Sequence, residues 1–398
     1  MNIRELKTGD ISQMISLWRY AFRDISDAEP SADERARYLS NYGLGVFEGE
    51  QLASALLVHP LKQAVRRRVL SMGGIGAVAS FPEHRGKGYV SALMARALEA
   101  MHERGHVVSM LAPFKQGFYE RYGYVSAQPE LTVRTSLDRL SHWLERGVYP
   151  ADYETIRAPA VEMRQRFCSV ADQLLPQSHG RAFRPDVGES EWRARVGNRE
   201  AVILRRGDED VAAFHFSKRH TGDAGPCMSV SALFAADSEA LEAVLGFLAA
   251  HRDQIEILEL SVGVDAPIWR WFSDGSQKLT LTGGNPWMVR IVDVIPALEG
   301  TRVGYPEGTT CIRVDDLQCE WNNRVFRLES NTGQLHIEEA SDAPADVTLS
   351  IEQLSALLYG VRPAFRYRRT PDELPNTATS SLLTGWFSNK AVRNDWFF

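Results

Sequence analysis

Three stretches of this 398-residue chain carry residue types set up for chemistry. The first is Phe81-Pro82-Glu83-His84-Arg85-Gly86-Lys87-Gly88, which runs directly into the helical pattern YVSALMARALEAMHERG. A basic, glycine-broken turn that opens a helix is an anion site by backbone geometry. The first N–H groups of a helix have no internal partner, and the helix dipole adds positive potential there. Gly86 and Gly88 lack Cβ and tolerate positive φ, so the main chain can come close to a ligand. Arg85 and Lys87 add charge at the rim. A phosphate suits this turn; an ordinary surface turn is the competing reading. The spacing is neither GxxxxGK[ST] nor GxGxxG. The second stretch is Phe118-Tyr119-Glu120-Arg121-Tyr122-Gly123-Tyr124, an aromatic helical turn that breaks at Gly123. The third is the end of the chain, Trp396-Phe397-Phe398, which is apolar enough to read as docked rather than frayed.

The elements around these stretches place them. Ile3 to Leu6 reads as a strand, and Asp10 as the N-cap of the helix ISQMISLWRYAFRDI, whose Met14, Leu17, Trp18 and Phe22 share a face. Strand-like runs follow: GLGVFEGE, QLASALLVHPLKQAV and VLSMGGIGAVAS, with a hairpin turn at Glu48-Gly49-Glu50. The helix after Gly88 leads to the strand HVVSMLAPF. This order makes an α/β domain of about 130 residues, within the usual single-domain range. From LTVRTSLDRL onward the pattern partly repeats. YETIRAPAVEMRQRFCSVADQL reads as helix-rich, EAVILRRGDEDVAAFHFSKRH as a hairpin turning at Gly207-Asp208, and CMSVSALFAADSEALEAVLGFLAAHRDQIEILELSV as strand, helix, strand. The linker FAADSEA has no basic glycine turn, so the architecture recurs without the phosphate site. A third unit starts near WMVRIVDVIPALEG.

The composition bounds the function. With 44% apolar and 24% charged residues the chain is an ordinary globular protein. A net charge of −6 argues against nucleic acid as a partner. Cys168, Cys227, Cys311 and Cys319 lie far apart with no CxxC pair, and the histidines show no HxxxH or HExxH spacing, so no metal is expected. The N-terminus lacks a signal-peptide core, and no run of about 18 apolar residues marks a membrane span; the expected location is cytoplasmic, with no membrane partner. The basic run Arg66 to Arg68 reads as a solvated edge or subunit contact, with a cofactor-phosphate role as the alternative. Asp24, Asp27 and Glu29 read as solvated loop charge, with attraction of a polyamine as the alternative.

GGIGAVASFPEHRGKGYVSALMARAL followed by LAPFKQGFYERYGY resembles the GCN5-related N-acetyltransferase (GNAT) family, which binds the pyrophosphate of acetyl-coenzyme A with a Q/R-x-x-G-x-G/A turn at a helix start. Here the turn is Arg85-Gly86-Lys87-Gly88-Tyr89-Val90, with Val90 in place of the final small residue. Over nearly its whole length, through the MGGIGAVASFPEHRGKGYVSALM block, the WMVRIVDV segment and the DWFF ending, the chain resembles the narrower enhanced-intracellular-survival (Eis) type. The resemblance implies two tandem GNAT-like α/β domains and a sterol-carrier-protein-like domain. These are a catalytic domain over residues 1–130, a cofactor-free domain over 131–290, and a C-terminal domain over 291–398. It implies acetyl-CoA as cofactor, with pantetheine along Val78, Ala79 and Ser80, and the pyrophosphate on Arg85, Gly86, Lys87, Gly88 and Tyr89. It puts Tyr119 near the leaving thiolate as general acid, a role that suits a phenol protonated at neutral pH. It makes the α-carboxylate of Phe398 the base. A carboxylate with a pKa near 3.5 is a weak base for an ammonium near 10, so it acts through water or with a pKa difference narrowed by the site. A small-molecule or peptide amine acceptor and a homo-oligomer, a hexamer, are further implications. The rival reading is a non-catalytic carrier of an apolar ligand in the sterol-carrier-like domain.

Overall fold

The computed structural model describes residues 2–22, 35, 38, 41–147, 149, 152–220, 225–272, 278–361, 378–388 and 390–394. Among them, one compact unit takes the chain up to Ala127 and from Pro286 to Lys390; the other takes Gln128–Asn285 and residues 391–394. Asp24, Asp27, Glu29 and Phe398 lie outside the described residues.

The first unit opens with strand β1 (Asn2–Glu5) and helix α1 (Ile11–Phe22), which buries Ile11, Met14, Ile15, Leu17 and Trp18 on one face. Asp10 does not cap α1 as expected. It ends a 3-10 turn, and its carboxylate reaches back to the Lys7 N–H at 2.7 Å and to the Arg4 guanidinium at 2.6 and 2.8 Å. Strands β2 (Tyr42–Glu48), β3 (Gln51–Val65) and β4 (Arg68–Ser80) form an antiparallel meander, with β2 and β3 turning at Gly49 as the Glu-Gly-Glu step predicts. Helix α2 (Tyr89–Glu103) covers the sheet with Leu93, Met94, Ala97, Leu98, Ala100 and Met101. The chain returns as β5 (Val108–Leu111), parallel to β4, then passes a one-turn helix (Gln116–Tyr119) to β6 (Val125–Ser126).

The WMVRIVDV segment, read from the sequence as the start of a third unit, lies elsewhere. Its strand Met288–Ile291 is inserted between β5 and β6, antiparallel to both, giving the order β1-β2-β3-β4-β5-(288–291)-β6. The same unit holds a four-stranded sheet in the order Gln334–Glu339, Val325–Asn331, Gly308–Asp315, Val347–Ser350. A helix, Ile351–Tyr359, follows under a Ser350/Gln353 capping box.

The second unit is a seven-stranded sheet in the order Thr280–Gly283, Leu131–Ser136, Ile257–Val262, Pro226–Ala235, Glu209–His220, Glu200–Arg206, Glu154–Pro159. The YETIRAPAVEMRQRFCSVADQL stretch divides: Glu154–Pro159 is an edge strand and only Arg164–Leu174 is an α-helix, because β-branched Thr155 and Ile156 meet Leu204 and Ile203 across the ladder. The strand–helix–strand run near its end forms as expected, with helix Ser238–Ala249 between its two strands.

Candidate functional site

The site grows from the end of β4. This strand pairs with β5 only from Met72 opposite Val108 to Ile75 opposite Leu111, whereas its pairing with β3 continues to Ser80 opposite Ser54. Beyond Ile75 the two parallel strands part, and β4 has no strand paired to it on that side among the described residues. A bulge sits at that point: the β3–β4 register shifts between Ala55 and Leu57, and Ala77 takes a left-handed φ of 52°. The Ala77 carbonyl accepts the indole N–H of Trp18 and the Ala79 carbonyl accepts the Ser54 hydroxyl at 2.9 Å, so α1 and β3 hold this stretch from one side. Val78 and Ser80 are half-buried and Ala79 is buried. Nothing in the alanine side chain announces the bulge, and the sequence reading missed it.

The Arg85–Gly88 turn follows immediately. Gly86 and Gly88 have φ of 75° and 79°, the left-handed region the glycines were expected to supply, and a Cβ built on either would meet nothing within 4 Å. Gly88 is the N-cap of α2 and offers no side chain to the first-turn N–H groups. Arg85 is exposed and has no ion-pair partner among the described residues. Lys87 is engaged: its Nζ donates to Glu48 Oε1 at 2.8 Å, and the Tyr89 hydroxyl donates to the same oxygen. Hydrogen bonds from Lys87 and then Tyr89 pull the Glu48 carboxyl down to about 2. Glu48 was legible only as part of a hairpin turn; its meeting with Lys87 depends on the β2–β3 turn lying beside the start of α2. Free amides, two open glycines and an unpaired strand edge fit a diphosphate with an extended amide-bearing arm. Acetyl-CoA, when bound there, supplies an acetyl thioester.

Tyr119 closes the one-turn helix beyond β5 and is 3% exposed. It packs in one apolar cluster with Val78, Tyr89, Val90 and Leu93, so the structure brings the end of β4, the start of α2 and this tyrosine together. Phe118 and Phe114 meet its ring at centroid distances of 5.0 and 5.6 Å. Its hydroxyl makes no hydrogen bond to any described residue, and burial pushes its pKa up to about 12. Two phenols nearby are used differently. Tyr122 donates to Ser91 Oγ at 2.8 Å on the first turn of α2, and Tyr124 lies 2.7 Å from Ser109 Oγ, which donates to the Gly73 carbonyl at 2.7 Å. Of the three, Tyr119 is the one whose proton is uncommitted.

The second unit repeats the frame with a different helix start. Its strand Pro226–Ala235 carries a bulge at Ala232 with φ of 51° and runs parallel to Ile257–Val262. The following helix is capped by Asp237, whose Oδ1 accepts the Ala240 N–H at 2.8 Å. A carboxylate thus stands at this helix start, whereas Gly88 at the start of α2 offers no side chain.

Comparison with known proteins finds matches along most of the chain. Acetyltransferase (GNAT) domain models match residues 2–127 and 183–291, and a sterol carrier protein domain model matches 294–370. An uncharacterised N-acetyltransferase of Streptomyces coelicolor is 26% identical over 304 residues, covering 73% of this chain and 71% of that protein. The N-acetyltransferase Eis of Mycobacterium bovis is 25% identical over 330 residues, 80% of this chain and 79% of that one. Among solved structures, a GCN5-related N-acetyltransferase from Anabaena variabilis superposes with a TM-score of 0.79 at 20% identity over the full length of both chains. Eis1 from Mycobacterium abscessus superposes with a TM-score of 0.75 at 18% identity, over 99% of this chain and 100% of that one. The fold is therefore two GNAT-like domains with a sterol-carrier-like domain, and the carrier reading gives way to an enzyme. The two GNAT domain matches and the Eis relatives support an Eis-type GCN5-related N-acetyltransferase, with acetyl-CoA as acetyl donor.

Proposed function

We propose that this enzyme passes acetyl directly to a primary amine of a small molecule or peptide (an aminoglycoside, a polyamine or a lysine-like acceptor), with Tyr119 as general acid and the α-carboxylate of Phe398 as base. The observation that carries the reading is the uncapped start of α2 at Gly88, with φ of 79°, next to the part of β4 that β5 no longer pairs. In this reading the amides of Gly86 to Tyr89 hold a diphosphate, with Arg85 at the rim and Lys87 exchanging Glu48 for phosphate oxygen. The backbone of Val78, Ala79 and Ser80 orients the acyl arm, and an N–H of that stretch steadies negative charge on the carbonyl oxygen. Holding donor and amine in a fixed pose supplies much of the acceleration. Tyr119 keeps its proton at neutral pH and yields it to the departing sulfur. Phe398 takes the amine proton, directly or through water; its position lies outside the described residues.

The test is thiol release from acetyl-CoA across aminoglycosides, polyamines and lysine peptides. Release with at least one amine, abolished by residues appended after Phe398, is expected. No release with any amine would remove the reading. Cytoplasmic location and a homohexamer belong to the same proposal, the latter checked by light scattering. No helix among the described residues is long and apolar enough to cross a membrane.

A further inference from the structure

In the second unit, the groups that would face a cofactor are taken by the chain itself. Strands Pro226–Ala235 and Ile257–Val262 pair only from Cys227 opposite Ile257 to Val230 opposite Leu260. Past that point the Leu233 carbonyl accepts Arg181 Nη1 at 2.6 Å, and the Ser261 carbonyl accepts Arg393 Nη2 at 3.2 Å. The Arg181 guanidinium lies 3.5 Å over the Phe234 ring, fully buried. These side chains come from two segments that grip each other. The Arg393 N–H donates to the His179 carbonyl at 3.0 Å, the Ala182 N–H to Asn394 Oδ1 at 3.0 Å, and the Val392 N–H to Gln128 Oε1 at 3.4 Å. Val392 and Asn394 are 2% and 1% exposed. Gly180 has φ of 77°, and a Cβ there would stand 2.4 Å from Val392 Cγ1, so only glycine lets the two segments come this close.

We propose that this unit has turned its cofactor cleft into a clamp for the chain's own segment 391–394, with Gly180, Arg181 and Asn394 as positioning residues that hold the end of the chain for the reaction. The bearing on catalysis rests on the role proposed above for Phe398; the clamp itself does not. An extended segment with an arginine reaching a strand-end carbonyl takes the place that the cofactor's amide-bearing arm would take, and Asp237 takes the place of its phosphate.

The experiment uses the full chain and its Asn394→Ala, Asn394→Asp and Gly180→Val variants. Hydrogen exchange of a peptide spanning 391–394 is read beside kcat, KM for acetyl-CoA and the melting temperature. In Asn394→Ala the exchange is expected to quicken about 100-fold while the rest of the unit stays protected. For the same variant kcat is expected to fall about tenfold, with KM for acetyl-CoA held within about twofold. Asn394→Asp keeps an acceptor for the Ala182 N–H and restores protection. Unchanged exchange at 391–394 in folded Asn394→Ala and Gly180→Val overturns the clamp. Quickened exchange with unchanged kcat keeps the clamp and removes Phe398 from the reaction.

Discussion

Tyr119 combines two properties that rarely meet in one phenol: it is buried, and its hydroxyl has no described partner. Deleting that hydroxyl leaves no group stranded, so Tyr119→Phe should hold its melting temperature. If the proton is used, kcat falls about 10²-fold or more with little change in KM for acetyl-CoA; full turnover in Tyr119→Phe would show that the ring only packs. Gly88 separates binding from stability in another way. A Cβ there meets open space, so Gly88→Ala disturbs no packing, but at φ of 79° it carries left-handed strain of about 1–2 kcal/mol. The expected outcome is a raised KM for acetyl-CoA with kcat at saturation largely kept; an unchanged KM places the diphosphate elsewhere. The Arg85–Gly88 turn was legible because glycine and charge announce a backbone meant to approach an anion. Ala77 and Glu48 were not, since an alanine at positive φ and an acid in a hairpin have no signature until the neighbouring element arrives.

Elements show where local pattern is read well and where its purpose is hidden. The long β3–β4 hairpin was plain in the sequence as two apolar runs, but its turn is Arg66-Arg67, with φ of 49° and 66°, a pair without the Asn or Gly usual at such positions. The basic run is not a solvated edge at Arg66. That side chain is 2% exposed and donates to three carbonyls: Leu358 at 2.7 Å, Leu357 at 3.0 Å and Ser388 at 2.9 Å. Two of these end the helix Ile351–Tyr359, where a cation also meets the negative end of the dipole. Burial lowers the Arg66 pKa to about 10, which leaves it charged at neutral pH. Arg66→Met therefore strands carbonyls and should destabilise by about 3 kcal/mol in denaturant titration, and Arg66→Lys should not restore it because one ammonium cannot span the fork. His106, between α2 and β5, gives a pH signature. Its Nδ1 lies 2.9 Å from Ser71 Oγ, and burial depresses its pKa to about 4. The unfolded chain takes up this proton near the ordinary pKa of about 6.5 and the folded one only near 4, so stability is complete above 6.5 and is lost as pH falls through this window. His106→Gln should flatten that part of the stability profile; an unchanged slope assigns it to other groups.

At the scale of the molecule, the strand Met288–Ile291 carries the information the sequence least revealed. Its apolar run was visible, but its place between β5 and β6 depends on pairing across the whole second domain, and no local period encodes a partner that distant. Once in place, it brings Arg290 into a fully buried position. There Arg290 Nη2 meets Asp316 at 2.9 and 2.7 Å and Cys319 Sγ at 2.9 Å, while Nη1 reaches the Tyr122 carbonyl. Asp316 also accepts from Asn322 Nδ2 at 2.9 Å and from the Gln318 N–H at 3.0 Å. One buried pair thus ties the turn after Tyr119 to the loop between strands Gly308–Asp315 and Val325–Asn331 of the four-stranded sheet. Removing one partner leaves the other charge unpaired out of water, so Arg290→Met alone should cost about 3–5 kcal/mol. Removing both, in Arg290→Met with Asp316→Leu, should recover much of that stability, since a buried ion pair is worth little against apolar side chains of like volume. Activity separates the remaining alternatives. If the pair serves only to fasten the fold, the double variant regains turnover with its stability. If Arg290, by holding the Tyr122 carbonyl, sets where Tyr119 stands, the double variant is stable and folded yet slow, and its kcat matches that of Tyr119→Phe while KM for acetyl-CoA stays near that of the parent enzyme.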